Sequence, residues 1–184
     1  AAITTGGKLA ELAQENDIPF LKITYQGQPR SAIGFGVFPL LAILQKIGLL
    51  WNKSHDVDET IKLLEQLRST LAEENPVQRN PAKQLANKLV GNIIVIYGGG
   101  FTAEAAHRWK TQINENAKTW AFYEVFPELN HNATVGYRYP EALAKKVKVI
   151  FLVSSLMNRR MKLRYDVTAE LLGKAGVGYE YVQA

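Results

Sequence analysis

Glu115, in the run Asn114-Glu115-Asn116-Ala117-Lys118, and His131, in Pro127-Glu128-Leu129-Asn130-His131-Asn132, bring together the two side-chain types most used to move protons at neutral pH. Each lies in a short polar turn that follows a well-patterned apolar segment. Sixteen residues separate them, enough for one strand and one loop to bring both to the same edge of a sheet. Proton transfer is the chemistry this pair suggests. Each residue also has a plainer reading, Glu115 as a solvated carboxylate at a helix end and His131 as a polar loop histidine. His55 and His107 fall on helix or loop surfaces. Three histidines so dispersed, with no cysteine and no zinc or di-metal ligand spacing, give no reason to expect a metal or a cofactor.

The elements that must position these residues alternate between strand and helix. Residues 1–4 read as a strand, 8–15 as a helix and 19–24 as a second strand, one βαβ unit too small to fold alone. The apolar stretch 33–50 reads as a buried helix. Residues 56–72 are amphipathic, with Ile61, Leu64, Leu67 and Leu71 on one stripe. Asn80-Pro81 opens another helix, with Asn80 as its N-cap. Ile93-Ile94-Val95-Ile96-Tyr97 is a continuous apolar strand, the mark of a parallel sheet covered on both faces. Further strands are expected over 120–126, 147–153 and 178–183, with helices over 102–114 and 157–174. The pattern is an α/β three-layer sandwich with a parallel, flavodoxin-like sheet, preceded by part of a similar domain. Residues 1–30 are read as the end of that first domain, 31–80 as a helical connection and 81–184 as the second domain. A carboxylate poised for catalysis is expected at the C-terminal edge of the second sheet, where open α/β folds bind ligands.

Two glycine turns invite a phosphate reading. Gly98-Gly99-Gly100 lies between a strand and a helix start, and Thr4-Thr5-Gly6-Gly7-Lys8 has the same arrangement. Neither has the spacing of a dinucleotide or P-loop motif. Tight helix–strand packing for the first, and helix capping for the second, are the favoured explanations.

Composition narrows the class. Hydrophobic residues make up 47% and charged residues 21%, as in a soluble globular protein. No apolar run is long enough to span a bilayer. The formal charge of +5 suits anionic partners. The densest basic cluster, Arg159 to Arg164, has the spacing of a solvated helix face, and no nucleic-acid-binding motif accompanies it. Residues 1–5 show no basic leader or signal core, so the cytoplasm is the default location.

Four motifs stand in order: Ile3-Thr4-Thr5-Gly6-Gly7-Lys8-Leu9-Ala10, Gln28-Pro29-Arg30-Ser31-Ala32, the Glu115 run and the His131 run. Together they resemble the bifunctional phosphoglucose/phosphomannose isomerases of archaea and bacteria, within the sugar isomerase domain superfamily. The resemblance implies two flavodoxin-like domains and an aldose–ketose isomerase of hexose 6-phosphates working without metal or organic cofactor. It places Glu115 on the catalytic base, His131 on the ring-opening histidine supplied by the neighbouring subunit of a homodimer, and Arg30 beside the developing enediolate. It also implies a Ser/Thr phosphate loop before residue 1 and a lysine beyond residue 184. Ala133 departs from the family, many of whose members carry an acidic residue there. The competing readings are a non-catalytic sugar-phosphate-binding regulatory domain and a dimerisation module.

Overall fold

The computed structural model describes residues 1–183. They fall into two compact units, residues 1–79 and the residues from Asn80 onward.

In the first unit, β1 (Ala2–Thr4) pairs in parallel with β2 (Phe20–Lys22), Ile3 opposite Leu21, and α1 (Gly7–Glu15) connects them. The entry to α1 needs backbone that only glycine adopts easily, with φ 136° at Gly6 and 63° at Gly7. The Thr4 hydroxyl accepts the Gly6 N–H at 3.1 Å and closes the turn, leaving α1 without a side-chain cap. A 3-10 turn (Pro29–Ser31) leads to α2 (Ile33–Lys46) and α3 (Ser54–Leu71).

The buried helix expected over 33–50 is corrected here. α2 forms, but none of its residues is buried. The α3 stripe is likewise open, with Ile61, Leu64, Leu67 and Leu71 all more than 40% exposed. Apolar periodicity states that a helix face prefers cover. It does not state that the same unit supplies it, and a two-stranded sheet offers little.

The second unit is a four-stranded, all-parallel sheet. α4 (Pro81–Leu89) precedes β3 (Ile93–Gly99), and α5 (Ala103–Gln112) leads to β4 (Ala121–Phe126). Two short helices, α6 (Leu129–Asn132) and α7 (Glu141–Ala144), lead to β5 (Val147–Val153). α8 (Arg159–Lys174) and β6 (Gly178–Gln183) complete it. The strand order β4-β3-β5-β6 is that of a flavodoxin-like sheet. Asn80 caps α4 as the sequence suggests, its Oδ1 accepting the Lys83 N–H at 3.1 Å.

Both faces of this sheet are covered, which is why β3 and β5 read as unbroken apolar runs. Ile94, Ile96, Ile150 and Leu152 face one layer with Leu89 of α4 and Ala106 of α5. Tyr97, Val149 and Phe151 face the other, with Tyr165, Ala169 and Leu172 of α8. Phe126 stacks on Tyr165 at a centroid separation of 4.2 Å, and Tyr97 meets Phe151 edge-on at 5.5 Å.

Candidate active site

Glu115 is held by a single wide turn. α5 ends in five residues of π-helix, Ile113–Ala117, an irregularity that recurs at functional positions. Lys118 then adopts left-handed backbone (φ 54°) and stops the helix. Its ammonium donates to the Glu115 carbonyl oxygen at 2.5 Å, placing a cation at the negative end of the helix. The Asn114 Oδ1 accepts the Ala121 N–H at 2.9 Å and fastens the turn to the start of β4. Ile113 packs on the core beneath. The Glu115 side chain is exposed above this brace.

The turn lies at the N-terminal edge of the sheet, not at the C-terminal edge that the general rule for open α/β folds suggests. The cause is topological. β3 and β4 are parallel, so α5 must carry the chain back to the edge where β3 began before β4 can start. Every residue between α5 and β4 therefore lies there.

His131 sits at the other end of β4. It lies exposed on α6, its backbone N–H bonded to the Glu128 carbonyl at 2.8 Å. The six residues of β4 stand between the two groups, a span of roughly 20 Å at the rise of a strand. Sixteen residues thus lead from one sheet edge to the opposite one, and the same-edge expectation fails. A strand crosses the sheet once, and the remaining residues are spent in turns. Arg30 belongs to the first unit, half-buried in the 3-10 turn after β2, with its Nη1 near Gln28 Oε1 at 3.4 Å.

At the C-terminal end of β3 the chain packs tightly at Gly98 and Gly99, while a Cβ on Gly100 would meet nothing within 4 Å. A Cβ on Gly98 would meet the Thr102 carbonyl oxygen at 2.3 Å, and one on Gly99 would meet Met161 Sδ and Phe126 at 3.0 Å. The buried Thr102 hydroxyl accepts the Gly99 N–H at 3.0 Å and approaches the Leu152 carbonyl oxygen at 3.3 Å. Gly98 and Gly99 serve close packing of β3 against Thr102, Met161 and Phe126.

Sequence reasoning assigned no role to Asn114 or Lys118, although both were in view beside Glu115. Glu124 was also missed. It stands in phase with Phe122 and Phe126 on β4, a charge at an apolar position, and that phase is the signal that would have marked it. Desolvation raises its carboxyl above the ordinary value. On α3, His55, Asp56 and Glu59 bring ligand atoms within 4.8 Å of one another, but all are exposed and Asp56 is held by Lys53 at 2.8 Å. The Lys53 hydrogen bond and charge hold that carboxyl below its usual range. No helix of the described residues is long and apolar enough to cross a membrane.

The comparisons with known proteins agree with this architecture. A family model described as the bacterial phospho-glucose isomerase C-terminal SIS domain matches residues 78–184. A bifunctional phosphoglucose/phosphomannose isomerase of Caldicellulosiruptor bescii is 39% identical over 93% of this chain and 51% of its own. Its namesake in Aquifex aeolicus is 35% identical over 95% and 50%. A solved putative sugar binding protein from Salmonella typhimurium LT2 shares the fold, with a TM-score of 0.50 and 15% identity over 100% of this chain and 62% of that one. The chain spans about half the length of the curated relatives it matches. It belongs to the bacterial phosphoglucose isomerase family, with residues from 78 onward forming the C-terminal SIS domain.

Proposed function

We propose that this chain supplies the catalytic residues of an aldose–ketose isomerase that interconverts glucose 6-phosphate, and mannose 6-phosphate, with fructose 6-phosphate. The observation that carries the reading is the braced π-turn. It fixes a solvent-facing carboxylate at the position that matches the family's base, and it spends Asn114 and Lys118 on backbone contacts that hold the turn. The printed names of the relatives support the substrate class.

The chemistry follows from the groups. Glu115 takes the proton from C2 of the open-chain aldose and returns it to C1 of the enediol. Arg30 sets a guanidinium beside the enediolate oxygens, where negative charge exists mainly in the transition state and intermediate. Glucose and mannose 6-phosphate differ only at C2, so both lead to one enediol, and one base serves both. His131 opens the sugar ring. The resemblance to the family brings the histidine of each site from a second subunit, and the placement of His131 and Glu115 of one chain at opposite ends of β4 supports that reading.

The test uses the full-length protein. Glu115→Gln should lower turnover by about 10²–10⁴-fold, the usual worth of a positioned base, while sugar-phosphate affinity stays close to wild type. Exchange of solvent deuterium into the substrate should fall in parallel. His131→Ala should be milder on an open-chain substrate than on the cyclic sugar. Near-normal turnover in Glu115→Gln would remove the base from this position and leave the sugar-phosphate-binding regulator as the better account.

A further inference from the structure

His131 stands on α6, a helix of four residues that is too short to hold its own shape in water. Its side chain is exposed. The direction in which the imidazole points is therefore set by what fastens the turn beneath it.

The two residues before His131 do the fastening. Leu129 is fully buried in the core cluster that includes Tyr165, Ala169 and Leu172 of α8. Asn130 is half-buried, and each of its polar groups is engaged. Its N–H donates to the Pro127 carbonyl at 3.0 Å, and its carbonyl accepts the Thr134 hydroxyl at 3.0 Å. Its Oδ1 faces Arg164 Nη1 at 3.4 Å. Its Nδ2 donates to Thr168 Oγ1 at 2.8 Å.

Thr168 lies on the buried face of α8 between Tyr165 and Leu172 and is closed to solvent. A hydroxyl there costs stability unless it is hydrogen-bonded, and valine would fill the same space without that cost. The apolar contact at Leu129 holds the depth of the turn but does little to fix its rotation, because hydrophobic burial is non-directional. A short side-chain hydrogen bond is directional and does fix it.

We propose that Asn130 and Thr168 are positioning residues for His131, and that their hydrogen bond aims the imidazole for ring opening. The inference rests on the ring-opening reading of His131 given above. Neither residue touches the sugar. Losing the bond leaves the histidine in place but misdirected.

The α and β anomers of glucose 6-phosphate interconvert by ring opening alone, with no proton leaving C2. The test measures that interconversion by magnetisation-exchange NMR, above the spontaneous rate, in the full-length protein. His131→Ala sets the floor. Thr168→Val should lower the enzyme-dependent rate about tenfold, with sugar-phosphate affinity little changed. Thr168→Ser keeps the hydroxyl and should recover most of the loss. A packing role alone gives the reverse order, since valine matches the shape of threonine better than serine does. Asn130→Ala removes the other partner at a half-buried position and should match Thr168→Val, and melting curves verify the fold of each variant. If His131→Ala lowers the rate while Thr168→Val and Asn130→Ala keep it, the positioning proposal alone is overturned. A serine variant no better than the valine variant overturns it as well. If His131→Ala itself keeps the rate, the ring-opening reading falls and takes the proposal with it.

Discussion

The two units of this chain carry comparable proportions of apolar residues and reach different results. From Asn80 onward, residues such as Ile96, Ile150, Phe151 and Leu172 lose all contact with solvent. In residues 1–79, Ala13 is the one buried side chain among those described. Ile33, Val37 and Leu40 of α2 and Leu64 of α3 are half-exposed or more. The difference lies in layers. Four parallel strands present two faces, and helices close both. Two strands of three residues each present almost no face, and amphipathic helices beside them remain open. Apolar residues stabilise a fold in proportion to the area removed from water, so the second unit holds most of the chain's hydrophobic stabilisation.

Truncating one leucine in each unit gives the largest contrast. Leu172→Ala, in the closed core, should cost about 2–5 kcal/mol in chemical denaturation. Leu64→Ala should cost under about 1 kcal/mol, because little of its area is buried. Equal costs would mean that α3 is covered in solution and would end the contrast.

Two glycines sharpen it. Gly98→Ala drives a methyl group into the Thr102 carbonyl, and a loss of about 1–3 kcal/mol is expected. Gly36→Ala, in α2, meets nothing within 4 Å and should gain up to about 1 kcal/mol from helix propensity. Thermal unfolding of both variants reads the opposite signs.

The same contrast explains what the sequence made legible. β3 and β5 were readable because both faces are buried and every position is apolar. The helix over 102–114 was readable by its period, but its last turn was not, because a π-turn adds a residue without changing composition. Glu115 was singled out from its motif. Its sheet edge was misplaced, since the rule about C-terminal edges describes where strands deliver ligand-binding loops, and Glu115 follows a helix. The openness of α2 and α3 was invisible for another reason. Periodicity records which face of a helix is apolar, and nothing in it records the partner.

A smaller effect is expected at the brace. Asn114→Ala frees the Ala121 N–H and should cost about 1 kcal/mol of stability. Because the turn carries Glu115, turnover of the full-length protein should fall severalfold more than stability alone explains, with KM little changed. A variant that lost stability but kept its turnover would separate the brace from the chemistry.

Carboxylates extend the comparison to pH. Glu124 keeps its proton above the ordinary value of 4.5. Between that value and the raised one the folded state binds more protons than the unfolded state, so stability falls as pH rises through this window. Glu124→Gln should remove the fall and raise the melting temperature at neutral pH by about 1–2 °C. In the first unit Asp56 is fully exposed beside Lys53 and shifted downward, so its contribution would be present above the ordinary value and lost as pH falls. Solvent screens such a pair, and Asp56→Asn should leave the melting temperature unchanged within error.

The central claim is that Glu115 and His131, at opposite edges of one sheet, serve different active sites of a dimer. Mixing two inactive full-length variants, Glu115→Gln and His131→Ala, tests it directly. After unfolding and joint refolding at equal amounts, mixed dimers hold one site with both residues intact and one with neither. Isomerase activity should return to about a quarter of wild type, because half the dimers are mixed and each has one working site. If both residues served the site of their own chain, every site in every dimer would lack one of them. The mixture would then be no more active than the average of the two variants, and the account would be contradicted.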